Sequence, residues 1–286
     1  MKIDAHQHFW QPKRGDYHWM PKDNAILNRA YGPQDLIPML NKYGIDGTVL
    51  VQAAASVEET EYMLGLADSF SQIKGVVGWI NFEDEAHLDQ LTRLSAHPKF
   101  LGVRPMIQDI PNVDWMLHED VQWAYRALID LDLSFDALGF PKHISNFLKI
   151  SQRYPKLRIV FDHSLKPQIR DQQAGCDAFS EWAKGISQLS ELTNGYCKLS
   201  GLITEAKDGW RADDIQPFAQ HVIEAFGPKR VMWGSDWPVC RLQVEYDEWY
   251  KLSQSLTKGL SPIERDQIFG LNATQFYRLG QEERKL

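Results

Sequence analysis

Three places in the 286-residue sequence collect side chains able to move protons or hold a metal ion. Near the start, Asp4-Ala5-His6-Gln7-His8 sets two imidazoles two residues apart. On extended backbone alternate side chains share a face, so His6 and His8 are expected to point one way, with Asp4 one layer below. That spacing suits two ligands of one metal ion, or a pair that handles protons. The second place is Asp162-His163, followed by Lys166. The third is Trp233-Gly234-Ser235-Asp236-Trp237-Pro238. Each is unspecific alone. An H-x-H pair is met among ordinary hydrogen-bonded histidines, and an aspartate in a Gly-Ser-Asp-Trp-Pro run suits a turn or a helix cap. Their meaning depends on whether the fold assembles them.

The surrounding pattern predicts how it would. Apolar β-rich runs at Lys2–Phe9, Gly47–Ala53, Gly75–Asn81, Leu101–Ile107, Leu133–Phe140, Arg158–His163, Tyr196–Gly201 and Arg230–Ser235 read as strands. Helix-period segments lie between them, at Pro33–Tyr43, Val57–Phe70, Glu85–Ser95, Glu119–Leu131, His143–Tyr154, Cys176–Leu192 and Asp214–Phe226. Three more, near Tyr246–Leu256, Pro262–Phe269 and Ala273–Leu279, close the chain. Strict β/α alternation with eight strands predicts an α/β fold of the (β/α)8 TIM-barrel type, one domain over residues 1–286, with a doubly wound open sheet as the rival. In such a barrel the strands' C-terminal ends carry the chemistry. His6, His8, His163 and Asp236 all fall there, and closure makes the first and last strands neighbours, setting Asp236 beside the histidine pair. His18, His87, His97, His118, His143 and His221 fall in loops or helices and read as structural or solvent-facing.

Composition narrows the partners. With 43% hydrophobic and 24% charged residues, the chain reads as an ordinary soluble globular protein. Thirty-one basic against 38 acidic residues leave a net charge of −7, which argues against nucleic acid as a main partner. Cys176, Cys197 and Cys240 are too few and scattered for a disulfide framework or a thiolate zinc site. The opening MKIDAHQHFW lacks the apolar core of a secretory signal, and no apolar run is long enough to span a bilayer. A cytoplasmic location away from membranes is the expectation.

Four segments in order carry a resemblance over nearly the whole chain: Ile3-Asp4-Ala5-His6-Gln7-His8-Phe9-Trp10, Gly102-Val103-Arg104, Asp162-His163 with Lys166-Pro167, and Trp233-Gly234-Ser235-Asp236-Trp237-Pro238-Val239-Cys240. In these the chain resembles the amidohydrolase superfamily (amidohydrolase-2 type), in the branch of L-fuconolactone and L-rhamnonolactone hydrolases and 2-pyrone-4,6-dicarboxylate lactonase. The Trp-Pro-Val-Cys ending, with Tyr17 and Trp19 in the first loop, lies closer to the sugar lactonases.

The resemblance implies hydrolysis of an aldonolactone of the L-fucono, L-rhamnono or L-galactono class, with His6, His8, His163 and Asp236 in the active site. Asp236 is the candidate base for water. The oxyanion partner is either one divalent metal ion, zinc by preference, held by some of His6, His8, His163 and Asp236, or donors on the histidines themselves. No organic cofactor is expected. A two-metal centre is not expected either, because strand 4 offers Arg104 and strand 5 ends in Gly139-Phe140-Pro141, where binuclear relatives carry a lysine or glutamate and a histidine. Arg104, Lys166, Trp19, Trp237 and Gln52 are the candidate substrate contacts. Arg104 could equally form a buried ion pair, Lys166 could be a solvated loop residue, and the tryptophans could be packing. Three other readings compete. One is decarboxylation of an aromatic acid. Another is hydrolysis of a pyrone dicarboxylate, for which Arg104, Lys166, Arg170 and Arg241 could supply cations. The third is a catalytically silent sugar-binding barrel.

Overall fold

The protein is described here by a computed structural model covering residues 1–171 and 177–280; Cys176, the expected start of one helix, lies outside those residues. The eight expected strands form: β1 (Ile3–Gln7), β2 (Gly47–Val51), β3 (Ile73–Gly78), β4 (Phe100–Val103), β5 (Ser134–Ala137), β6 (Arg158–Phe161), β7 (Tyr196–Leu199) and β8 (Val231–Trp233). All are parallel and pair in sequence order from β1 to β8, giving the expected (β/α)8 barrel. Around them run α1 (Pro33–Tyr43), α2 (Val57–Ser69), α3 (His87–Ser95), α4 (Gln122–Asp130), α5 (Ile144–Arg153), α6 (Asp177–Leu192) and α7 (Ala212–Phe226). Then come α8 (Tyr246–Leu256), α9 (Pro262–Asp266) and α10 (Asn272–Tyr277).

The predicted runs overshoot the ladders at their C-terminal ends, and the overshoot is where the polar side chains sit. Gln52 and Arg104 lie one residue past β2 and β4, yet their amides still bond to Val77 O at 2.8 Å and Gly78 O at 2.9 Å. Each side chain is therefore fixed by main-chain hydrogen bonds at its root. The opposite end of the barrel is stoppered by α10, whose Ala273, Phe276 and Tyr277 pack with Ile3, Ala5, Val49, Val77, Val160 and Met232.

Closure between β8 and β1 is made by residues just beyond the ladder. The Asp236 amide donates to His6 O at 2.8 Å, and the His8 amide donates to Trp237 O at 2.7 Å. Gly234 makes this approach possible: a Cβ there would lie 2.7 Å from His6 Cβ. Gly234→Ala is expected to force β1 and β8 apart and to lower unfolding free energy by about 1–3 kcal/mol, as overpacking does. A urea melt measures this, and unchanged stability would mean the seam has slack that the geometry does not show.

Candidate active site

β1 does not keep the simple alternation expected of it. Asp4 pairs with Thr48 and Gln7 with Leu50, so β1 carries one extra residue against β2, a β-bulge. The Asp4 carboxylate holds the bulge, accepting from the His6 amide at 3.2 Å and the Ser235 amide at 2.8 Å. Its other oxygen accepts from Tyr246 on α8 at 3.2 Å. The expectation that Asp4 lies one layer beneath the histidines is therefore corrected: it faces the helices, and the bulge frees His6 and His8 to converge, their rings 4.9 Å apart.

His163 and Asp236 arrive on strained backbone. After β6, His163, Ser164, Leu165 and Lys166 all have positive φ, between 48° and 56°, and Asp236 has φ 55°. Non-glycine residues pay roughly 1–2 kcal/mol each for left-handed backbone, so such runs persist only where their surroundings dictate them. Here Trp182 donates its indole N–H to Ser164 O at 2.9 Å, Ser164 Oγ bonds Lys198 O at 3.2 Å, and Leu165 is fully buried. The turn aims His163 inward, where Nδ1 meets Ser200 Oγ at 2.9 Å.

The three imidazoles surround one carboxylate oxygen. Asp236 Oδ1 lies 3.2 Å from His8 Nε2, 3.8 Å from His6 Nε2 and 3.8 Å from His163 Nε2. His8 Nδ1 faces Val51 O at 2.7 Å; a carbonyl only accepts, so Nδ1 carries the proton and a neutral His8 turns its Nε2 lone pair toward Asp236. Burial holds His6 and His163 well below the ordinary histidine range, His6 also through Lys198; burial likewise lowers His8. Burial pushes Asp236 up, but His163, His8 and Lys166 outweigh it and its pKa ends below the usual carboxylate range. Neutral imidazoles around an ionised carboxylate form a donor set that fits a divalent cation. His6, His163 and Asp236 each offer a ligand atom within 4.8 Å of the others.

Beneath this group lies a buried charge network that the motif reading missed. Lys198 on β7 is fully buried, with Nζ 2.6 Å from Asp136 Oδ2, 2.9 Å from Asp162 Oδ1 and 3.1 Å from His6 Nδ1. Tyr277 on the stoppering helix donates to Asp136 at 2.6 Å, and Arg104 Nη1 lies 3.5 Å from Asp162. Two cations thus face two carboxylates, and Asp236 is left as the uncompensated charge of the cluster. Burial pushes Asp162 up, yet Lys198 and Arg104 bring it below its ordinary range, whereas burial wins at Asp136 and raises it. The available signal was a charged residue inside each of two predicted strands, Leu133–Phe140 and Tyr196–Gly201, in a sheet type whose strands are normally apolar throughout.

The remaining candidates sit around the rim. Arg104 places Nη1 3.2 Å from His6 Nε2 and donates through Nη2 to Gln52 O; the Gln52 amide donates back to Arg104 O, leaving its buried Oε1 without a partner. Trp19 is half-exposed, its indole N–H bonded to Ala53 O at 2.6 Å, while Ala53 and Ala54 give their amides to buried Glu59 of α2. Trp237 is not brought to the imidazoles: it is buried edge-on against Phe9 and Tyr31. Lys166 lies 3.9 Å from Glu205, a residue the sequence reading passed over.

Comparison with known proteins relates the sequence and the fold to a family. A model of the amidohydrolase family matches residues 3–279. The chain is 39% identical to an L-fucono-1,5-lactonase of Burkholderia ambifaria, covering 97% of this chain and 96% of that protein. It is 33% identical to an L-fucono-1,5-lactonase of Burkholderia multivorans, at 98% and 96% coverage. A crystal structure of a Burkholderia multivorans amidohydrolase with bound zinc superposes with a TM-score of 0.91 at 32% identity, covering 98% of this chain and 99% of that one.

Lys198→Met tests the buried network. Removing the cation strands two buried carboxylates, which costs about 3–5 kcal/mol at pH 7. The loss should shrink toward pH 5, because an orphaned buried carboxylate takes up a proton and no longer opposes folding as an anion. Chemical denaturation at the two pH values measures both effects; equal stability of variant and parent at pH 7 would refute the assignment.

Proposed function

Because the chain belongs to the amidohydrolase family, we propose that it is a sugar lactonase, acting as one domain over residues 1–286, with L-fucono-1,5-lactone foremost among its substrates. The observation that carries this reading is the convergence of His6, His8 and His163 on one oxygen of Asp236 at the catalytic rim.

Ring opening needs a base for water, a place for the carbonyl's developing negative charge, and a proton for the departing ring oxygen. Asp236 is the base: its lowered pKa keeps it ionised at neutral pH, it takes a proton from water, and it returns that proton to the ring hydroxyl. Arg104 is a fixed positive charge beside His6 for the oxyanion, and Gln52 Oε1 is an unused buried acceptor for a sugar hydroxyl. Lys166 stands on the loop after β6 beside Glu205, and Trp19 offers an exposed ring to the sugar's C–H face. Trp237 supports the rim from within the aromatic packing. His6, His163 and Asp236, with His8 adjoining, would hold one zinc ion, which when bound serves as a Lewis acid toward the lactone carbonyl.

The decarboxylase and pyrone-dicarboxylate readings need a cationic site for an anion. Arg104, held by Gln52 O and Asp162, already serves the reacting carbonyl oxygen, Lys166 and Arg170 are paired with Glu205, and Arg241 with Glu245, so none of these cations is left for a separate carboxylate. That distribution favours an uncharged substrate. Among the described residues no helix is long and apolar enough to cross a membrane, and the proposed site of action is the cytoplasm.

A pH-indicator assay over a panel of aldonolactones, with and without chelator, tests the reading. Turnover of an L-fucono-type lactone is the expected result, and the chelator arm reports whether a metal is used. Silence toward every lactone, with zinc supplied and the protein folded, would remove it. Asp236→Asn should lower kcat by about 10²–10⁴-fold. In the parent enzyme a lowered carboxylate pKa works as a base above that pKa, so kcat should hold steady through the neutral range. It should fall only below about pH 4. An acidic limb near neutrality would assign the base elsewhere.

A further inference from the structure

Lys166 and Glu205 stand on adjacent loops at the catalytic rim, after β6 and β7. Lys166 Nζ lies 3.9 Å from Glu205 Oε1, and Arg170 Nη2 lies 3.6 Å from Glu205 Oε2. One carboxylate therefore answers two cations. The Glu205 side chain is 13% exposed and that of Lys166 20%, so their pairing is only partly screened by water, whereas Arg170 is 52% exposed. The group is within electrical reach of the reacting centre. Burial raises the Glu205 carboxyl, Lys166 and Arg170 pull it back, and Asp236 pushes it up again; the Lys166 charge acts in turn on His6, His163 and Asp236.

The reaction changes the charge of its own ligand. Water's oxygen bonds to the lactone carbonyl carbon, the bond from that carbon to the ring oxygen breaks, one proton goes to the freed hydroxyl, and one leaves to solvent. A neutral ester enters and an aldonate anion departs. Unpaired lysine and arginine at the rim would hold carboxylates, both those of anionic lactones and that of the product.

We infer that Glu205 is a specificity-determining residue: by occupying Lys166 and Arg170 it fits the rim to lactones that carry no carboxylate and leaves the anionic product without a cationic partner there. This rests on the lactonase reading above and adds the charge class of the substrate. A role for Glu205 limited to tying the two loops together predicts no change in preference between neutral and anionic ligands.

The test is the ratio of kcat/KM for a carboxylate-bearing lactone, D-glucaro-1,4-lactone, to that for L-fucono-1,5-lactone, with the inhibition constant of L-fuconate, all at pH 8. Glu205→Gln should raise the ratio about tenfold and tighten fuconate inhibition by a similar factor. Adding Lys166→Met in the same chain should reverse the gain, and Glu205→Asp should keep the parental ratio. Arg170→Gln, at an exposed position, should move both readouts the opposite way and decides the matter if Glu205→Gln does not fold. A ratio and inhibition constant within about twofold of the parent in the folded Glu205→Gln or Arg170→Gln protein would overturn the inference. So would a parent enzyme that opens both lactones equally well. A parent that opens only the carboxylate-bearing lactone would overturn the inference, whereas one that opens neither would strike the lactonase reading instead, so the two failures are distinguishable.

Discussion

The ammonium group of Lys198, shut inside the barrel between Asp136 and Asp162 and 3.1 Å from a ring nitrogen of His6, is the contact on which the site depends. Three charged groups that bulk water would normally solvate are buried there, each tolerable only because the others are present. The network reaches β5, β6 and β7 and, through Tyr277, the helix that stoppers the far end. Above it the imidazoles are neutral and Asp236 is the charge left over. Reactivity at the rim is in this sense set by a balance struck one layer below.

The same residues complete the fold and form the proposed site. β8 meets β1 through the amides of Asp236 and His8, so the carboxylate and its imidazole neighbour are placed by the bonds that close the barrel. His163 and Asp236 both occupy left-handed backbone, and burial of Leu165 and the Trp182 and Ser164 bonds hold the first of these turns. Side chains rooted this way have little freedom to drift. That is what a site needs when its parts come from strands far apart in sequence.

How much of this could be read beforehand differs residue by residue. His6, His8, His163 and Asp236 stood out because polar residues at the ends of apolar runs are conspicuous once a barrel is expected. Lys198, Asp136 and Glu205 did not, since a single charge inside a short strand or loop carries no spacing signal. Asp4 was misplaced because strict alternation was assumed. The bulge that redirects it depends on Ser235 and Tyr246, each more than 200 residues away in sequence. Trp237 looked free for substrate in the motif, while its packing partners Phe9 and Tyr31 come from another part of the chain.

Local chemistry in the sequence determined the alternation of eight strands with helices, the barrel it implies, and the rim on which the histidines and Asp236 would meet. Those features follow from hydrophobic period and backbone preference, which act over a few residues. Which imidazole nitrogen carries a proton, which cation is already paired and which carboxylate stays uncompensated were decided by the tertiary structure alone. Hydrogen bonds and Coulomb interactions depend on distance and burial in space, and residues such as His6, Lys198 and Asp236 acquire their distances only when the barrel closes.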